Sequence, residues 1–456
     1  MEKAGIRAGQ GESRTPVFDF LENYRKEDYA RFHMPGHKGR AVLGPEPMDL
    51  TEITGADSLY EASGIISESE ENAARIFGAR KTVYGTEGSS QCIKTMLALS
   101  MPEGRSLHVM AARNIHRSFV DAMALLDGTV TWILPEHAES VYSADITEND
   151  LERTLERACS PVDAVYVTTP DYLGKEAELA AVSAFCGRHG LRLLVDHAHG
   201  AYRQFAGNYM HPLKLGADFV AESAHKTLPV LTGGAYLHAG EKVPEELLSK
   251  MKKTMELFGS TSPSYLTLAS LDLCNAYLSD GYPERLRKRI SELKSLKREL
   301  EELGFTVLSG EPLKLTIRVP SGGFALSAFL RKNRVECEYS DSDYIVLMVT
   351  PENSEEELLR LRKALFSFRE TCLFTETKER KSPMLTVPPE TAVTIREAVF
   401  GNAVTVPTKE AVGRIAAGTQ VSCPPAIPIV IPGERITEEI AELLAFYGYG
   451  SVDVLR

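Results

Sequence analysis

The chain has 456 residues, 43% of them hydrophobic and 25% charged, an ordinary globular composition for two or three packed regions. Its formal net charge of −12 argues against a nucleic-acid binder, which would need a basic face, and suits a cationic substrate. No apolar run approaches the ~20 residues of a membrane span, the opening MEKAGIRAGQGESRT lacks the core of a signal peptide, and a cytoplasmic location is expected. The cysteines (Cys92, Cys159, Cys186, Cys274, Cys337, Cys372 and Cys423) are scattered without a C-x-x-C pair. Neither a disulfide framework nor a metal site fits that spacing, and free thiols in a reducing compartment are expected.

The first sixteen residues read as a polar arm, and Pro16 opens an amphipathic helix through VFDFLENYRKEDYA. Residues 32–66, dense in Gly, Pro and short polar clusters, read as loop. From about residue 69 helices and strands alternate. Helix from Glu70 to Phe77, strand KTVY, helix SSQCIKTMLALS, strand SLHVMA and helix IHRSFVDAMAL come first. Strands TVTWIL and DAVYVT, helix AELAAVSAFCGRHG, and strands LRLLVD, ADFVAES and GGAYLH follow. Apolar runs of this length, separated by helices, predict an α/β fold with a mostly parallel sheet covered on both faces. Helices fill roughly 244–303. A second alternation, from FTVLSG through KLTIRV, GFALSAFLRKNR and YIVLMV to SEEELLRLRKALFSF, predicts a smaller α+β domain. After the polar break TETKERKSP the chain is proline-rich. The expected divisions are 1–65 (arm and loop), 66–290 (large domain), 291–372 (small domain) and 373–456 (C-terminal domain).

The chemistry concentrates around ADFVAESAHKT, where a strand delivers Ser223, His225 and Lys226 at its C-terminal end, the place where open α/β sheets bind ligands. A lysine in such a position is ordinarily a surface lysine; three neighbouring motifs change its standing. Asp196 in LLVDHAHG also ends an apolar strand, with His197 and His199 beside it. A carboxylate placed so deep needs a cationic or hydrogen-bonding partner. The turn GTEGSSQ, between strand and helix, offers Gly88, Ser89 and Ser90 to an anion. It is not a P-loop, because the lysine of that motif is missing. His116 in RNIHRS stands at a further strand-to-helix junction. An amine able to form an imine, a carboxylate to keep a ring nitrogen protonated, an anion turn and a stacking imidazole together predict a pyridoxal 5'-phosphate (PLP) site.

These segments resemble the Orn/Lys/Arg decarboxylase family, in a short form without an N-terminal wing domain. The resemblance covers nearly the whole chain: TPVFDFLENY, FHMPGHKG, DLTEITGADSLYEASGIISESEENAARIFGA, GTEGSSQ, RNIHRSF, DHAHGAY, SAHKTLPVLTGGAYLH, VPTKEAVGRIAAG and CPPAIPIVIPGE. It implies PLP fold-type I (aspartate aminotransferase-like), with a C-terminal extension of the decarboxylase type, acting as a homodimer or larger homo-oligomer. It makes Lys226 the Schiff-base lysine, Asp196 the partner of the pyridine nitrogen and His116 the stacking histidine. Ser89, Gly88 and Ser223 would bind phosphate, His225 would contact phosphate or move a proton, and His199 would contact the cofactor or Asp196. The implied activity is decarboxylation of a basic L-amino acid, arginine ahead of lysine and ornithine, to a polyamine precursor.

A cationic substrate side chain calls for a carboxylate, and the candidates are Glu52, Asp57 and Glu434. The family's sites lie at a dimer interface, so Asp57 or His37 is expected to act on the cofactor of a second copy. Two departures bear on the pocket: Cys423-Pro424-Pro425-Ala426 stands where the family has Tyr-Pro-Pro-Gly, and Glu87 stands where small or hydroxyl residues are commoner. The alternatives are an aminotransferase or β-eliminating lyase on the same fold, with Arg318 as carboxylate binder, and a non-catalytic PLP-binding protein.

Overall fold

The computed structural model describes residues 14–135, 142, 145–207, 209–371, 385, 389–419 and 426–456. Cys372 and Cys423 to Pro425 lie outside the described residues. In chain order the first strands are β1 (Lys81–Gly85), β2 (His108–Ala112), β3 (Thr129–Ile133), β4 (Ala164–Thr168), β5 (Arg192–Asp196), β6 (Phe219–Glu222) and β7 (Ala235–Ala239). They are followed by β8 (Thr306–Val307), β9 (Lys314–Arg318), β10 (Tyr339–Ser340), β11 (Tyr344–Met348), β12 (Ala403–Pro407) and β13 (Ser451–Leu455). The chain groups into two compact units, Met1–Leu99 with Ala201–Pro283, and Ser100–Gly200 with Glu284–Arg456.

In the first unit β7 runs antiparallel to both β1 and β6, with Tyr236 opposite Tyr84 on one side and Glu222 on the other. Helices Pro16–Lys26, Ile65–Phe77, Gly88–Leu99, Glu245–Glu256 and Tyr265–Ser279 belong to this unit. The helix expected from Glu70 begins at Ile65 instead. The cause is Asp57, whose carboxylate accepts N–H bonds from Gly64 at 2.9 Å and Ile66 at 3.0 Å and so satisfies the first turn from outside the helix.

In the second unit β2 is parallel to β3 and β4, and β4 to β5, with Thr168 level with Asp196. Each strand is a short, largely apolar run, and Val109, Val165 and Leu194 on them are at most 1% exposed. Because these strands share one direction, their C-terminal ends open on one edge, the ligand edge of an α/β sheet. The turns after β2, β4 and β5 therefore share that edge. A helix that hydrophobic pattern alone did not mark, Glu148–Glu156, is started by a reciprocal cap between Thr147 and Asp150.

The same unit holds the antiparallel order β10-β11-β9-β8. It packs Leu315, Ile317 and Ile345 against Leu326, Leu330 and Leu365 of helices Gly323–Lys332 and Glu355–Thr371. This is the α+β alternation expected there. The proline-rich region carries more order than its composition suggests. β12 and β13 pair antiparallel, and Val452 and Val454 join Ile440 and Leu444 of helix Glu438–Phe446 in a separate apolar core.

Candidate active site

Lys226 sits in a single helical turn, Ala224–Thr227, directly after β6, and Ser223 is its N-cap. The turn is tight: the Lys226 N–H reaches the Ser223 carbonyl at 3.2 Å, and the His225 N–H reaches the Gly234 carbonyl at 3.2 Å. The His225 ring bonds that same carbonyl through Nδ1 at 3.0 Å. A carbonyl only accepts, so Nδ1 carries the proton and Nε2 is the basic nitrogen. Burial pushes the His225 pKa below its ordinary value, and the Lys226 charge adds to the effect. Behind the turn, Glu222 is fully buried and held by His211 at 2.9 Å and His238 at 3.2 Å.

The GTEGSSQ turn is built against this segment. The Ser223 hydroxyl donates to the Ser89 hydroxyl at 2.7 Å, and Ser89 lies in the first turn of helix Gly88–Leu99. Gly88 has φ +72° and donates its N–H to the Gly233 carbonyl at 2.8 Å. Gly233, at φ +98°, passes so close that a Cβ there would lie 2.5 Å from the Thr86 carbonyl oxygen. A side chain at Gly233 would push the turn away from Ser223. Thr86 is buried, and its hydroxyl has no hydrogen-bond partner among the described residues. Sequence reasoning passed over this hydroxyl, although it lies within the GTEGSSQ motif. Glu87 is exposed, so it displaces none of the buried hydroxyls.

On the ligand edge of the parallel strands, Asp196 is 2% exposed. Its Oδ2 accepts the Tyr166 hydroxyl at 3.1 Å and its Oδ1 the Ala198 N–H at 3.1 Å. Burial, followed by the Asp196 charge, pushes the Tyr166 phenol far above its ordinary range, so it remains a donor. His199 is buried, with Tyr172 set edge-on to its ring at 5.5 Å. His116 caps helix Arg117–Leu126, accepting the Ser118 N–H at Nδ1 at 3.1 Å. In the neutral ring the proton then sits on Nε2.

The acids expected to read the substrate fall in different surroundings. Asp57 accepts four main-chain N–H bonds, from Ser58, Ser63, Gly64 and Ile66. Burial raises its pKa, but these donors outweigh that and hold it below the ordinary value. Glu434 is 1% exposed and locked to the Arg113 guanidinium through both carboxylate oxygens. His37 accepts the Gly39 N–H at Nδ1 and donates from Nε2 to Asp49 at 3.1 Å. Glu52 is exposed and accepts the neighbouring Thr51 hydroxyl at 2.7 Å. Arg318 ends β9, level with Tyr344 of β11 and Thr306 of β8.

Residues 15–304 match the family model for the Orn/Lys/Arg decarboxylase major domain, and 374–449 match its C-terminal domain. The chain belongs to the Orn/Lys/Arg decarboxylase family. It is 30% identical to an arginine decarboxylase of Bacillus subtilis, over 94% of this chain and 92% of that one. It is 31% identical, with the same coverage, to an arginine decarboxylase of Halalkalibacterium halodurans. The solved lysine decarboxylase A of Pseudomonas aeruginosa superposes with a TM-score of 0.82 at 20% identity, over 97% of this chain and 80% of that one. The α/β fold of the fold-type I decarboxylases is thus shared along almost the full length, and the protein is an amino-acid decarboxylase by family. That assignment sets aside the aminotransferase and non-catalytic readings. Among the described residues no helix is long and apolar enough to cross a membrane.

Proposed function

We propose that this protein decarboxylates a basic L-amino acid, arginine before lysine or ornithine, using PLP carried on Lys226. The observation that carries the cofactor is the hydroxyl cluster around the GTEGSSQ turn. Ser89 and Ser223 are buried and bonded to each other, and the buried Thr86 hydroxyl has no described partner. Uncompensated hydroxyls are costly to bury, and a phosphate at the N-terminus of helix Gly88–Leu99 would satisfy them. The chain's residues fit the group: Ser89, Gly88 and Ser223 for phosphate, and Lys226 for the aldehyde. Asp196 would hold a proton on the ring nitrogen, and His116 and His199 would lie against the ring system.

When bound, PLP supplies the electron sink for the pair left by the breaking Cα–carboxylate bond. The chain contributes orientation and proton control. Asp196, buried and hydrogen-bonded by Tyr166, would face the ring nitrogen and favour its protonated form. His225, neutral at pH 7 with its proton fixed on Nδ1, presents Nε2 as a base that can take up a proton and return it to Cα. Lys226 is the second candidate for that return. Both relatives near 30% identity are named as arginine decarboxylases, which supports arginine. Of the acids considered, Asp57 and Glu434 are already compensated, so Glu52 is the one we assign to the cationic end of the substrate.

A second copy of the chain completes this reading. Phe32, Val42 and Leu43 are 96%, 84% and 88% exposed on the segment that bears His37, apolar surface that a homodimer would cover. Cys92, Cys186 and Cys274 are buried free thiols, in keeping with a cytoplasmic enzyme. The test is CO₂ release by the purified protein supplied with PLP and each of the three amino acids. Arginine should be turned over fastest. Release of ammonia or a keto acid without CO₂ would refute the reaction, and faster turnover of lysine or ornithine would refute the preference.

A further inference from the structure

We propose that Arg113 and Glu434, together with the Ala426 carbonyl, form a clamp that sets the position of His116, which makes them positioning residues of the reaction. The inference rests on the reading of His116 as the group lying against the cofactor ring. β2 ends at Ala112 and the next helix starts at Arg117, so His116 stands in a four-residue loop, 113–116. At the start of the loop, the Arg113 fork donates to both Glu434 oxygens, one at 3.0 Å, and to the Ile429 carbonyl at 3.0 Å. The Ile431 N–H bonds the same carboxylate at 2.9 Å, and the Arg113 guanidinium lies 5.2 Å from the Trp132 ring. Just past the loop, the Arg117 N–H donates to the Ala426 carbonyl at 2.8 Å. The residues flanking His116 on both sides are therefore tied to one short segment, 426–434, more than three hundred positions away in the chain.

Stability alone is a poor account of this pair. Its side chains are 11% and 2% exposed, and at such depth the cost of desolvating two charges offsets most of their attraction. A bidentate arginine–carboxylate contact adds direction, because the planar fork accepts one orientation. A second observation points the same way. Ala426 has φ +55°, a left-handed conformation that L-residues other than Asn and Asp rarely adopt, at the position where the resemblance expects glycine. The chain keeps that conformation where the Ala426 carbonyl meets the Arg117 N–H. The pairing also separates two roles for Glu434. A carboxylate neutralised through both oxygens has little charge left to offer a cationic substrate, so its loss should disturb His116 rather than substrate binding.

The test is a double-mutant cycle on the full-length enzyme loaded with PLP, comparing H116A, E434Q and the pair. The readouts are the visible circular dichroism of the bound cofactor, the cofactor Kd, and kcat and KM for arginine. E434Q should weaken the dichroism as H116A does and lower kcat about 10- to 100-fold, as expected for a misplaced group. KM should stay within about threefold, and the double variant should be no worse than H116A alone. Where E434Q does not fold, R113K, which keeps the charge but loses the fork, takes its place in the cycle. Additive losses, or a KM rise with kcat unchanged, would overturn the clamp. H116A leaving both dichroism and kcat unchanged would instead overturn the role of His116, and with it the clamp's purpose.

Discussion

Asp272 lies fully buried in helix Tyr265–Ser279, and its described partners are neutral. Its Oδ2 accepts the Phe18 N–H at 3.0 Å, at the start of helix Pro16–Lys26, and its Oδ1 accepts the Ser69 hydroxyl. Burial raises its pKa from the ordinary 3.8 to about 7, against the pull of these donors. Below pH 3.8 the carboxyl is neutral in both states; as pH rises the unfolded chain ionises first, and the cost to the fold is complete above about pH 7. Between pH 5 and pH 8 this cost grows over about two units, or roughly 3 kcal/mol at 1.4 kcal/mol per unit. Asp272→Asn removes the ionisation and keeps the bonding. The amide oxygen still accepts Phe18, and the amide nitrogen donates to the Ser69 hydroxyl, whose proton turns to the Tyr84 oxygen 2.8 Å away. Urea unfolding at the two pH values should show the variant gaining about 3 kcal/mol on the parent from pH 5 to pH 8. An equal difference at both pH values would refute a near-neutral Asp272.

Three further outcomes follow from the site. Ser223→Ala should weaken PLP affinity about tenfold, the value of one hydrogen bond to a charged group, as read by equilibrium dialysis; unchanged affinity would remove Ser223 from the phosphate set. Gly233→Ala should cost about 2 kcal/mol, since its Cβ would meet the Thr86 carbonyl at 2.5 Å in a left-handed backbone, and cofactor affinity should fall with it. In the pH profile of kcat/KM, the acidic limb belonging to His225 should lie below its ordinary 6.5 and vanish in His225→Asn; a limb that survives belongs to another group.

The alternation that places the site was legible because buried parallel strands are short apolar runs, as in DAVYVT and LRLLVD, and small residues mark the turns between them. Lys226, Asp196 and the GTEGSSQ turn could be singled out as candidates because each directly follows or precedes such a run. What escaped was carried by pairs far apart in the chain. Arg113 meets Glu434 across 321 positions and Phe18 meets Asp272 across 254, and no periodicity records either. In the sequence Glu434 therefore stands among the candidate substrate acids without its Arg113 partner, and Asp57 stands there without the four main-chain N–H groups it accepts. Some signals were present and undervalued. The alternation in AVTVP and SVDVL is the period-two pattern of β12 and β13, hidden within a proline-rich stretch. The T-E-N-D start of helix Glu148–Glu156 is a capping box.

The central claim is that Lys226 carries the cofactor. Reducing the PLP-loaded enzyme with borohydride, digesting it and locating the pyridoxyl group by mass spectrometry tests this directly. The account predicts the label on the peptide containing Lys226, with no label and no CO₂ release in Lys226→Ala. A label on another lysine, or a variant that still releases CO₂ at the parent rate, would contradict it.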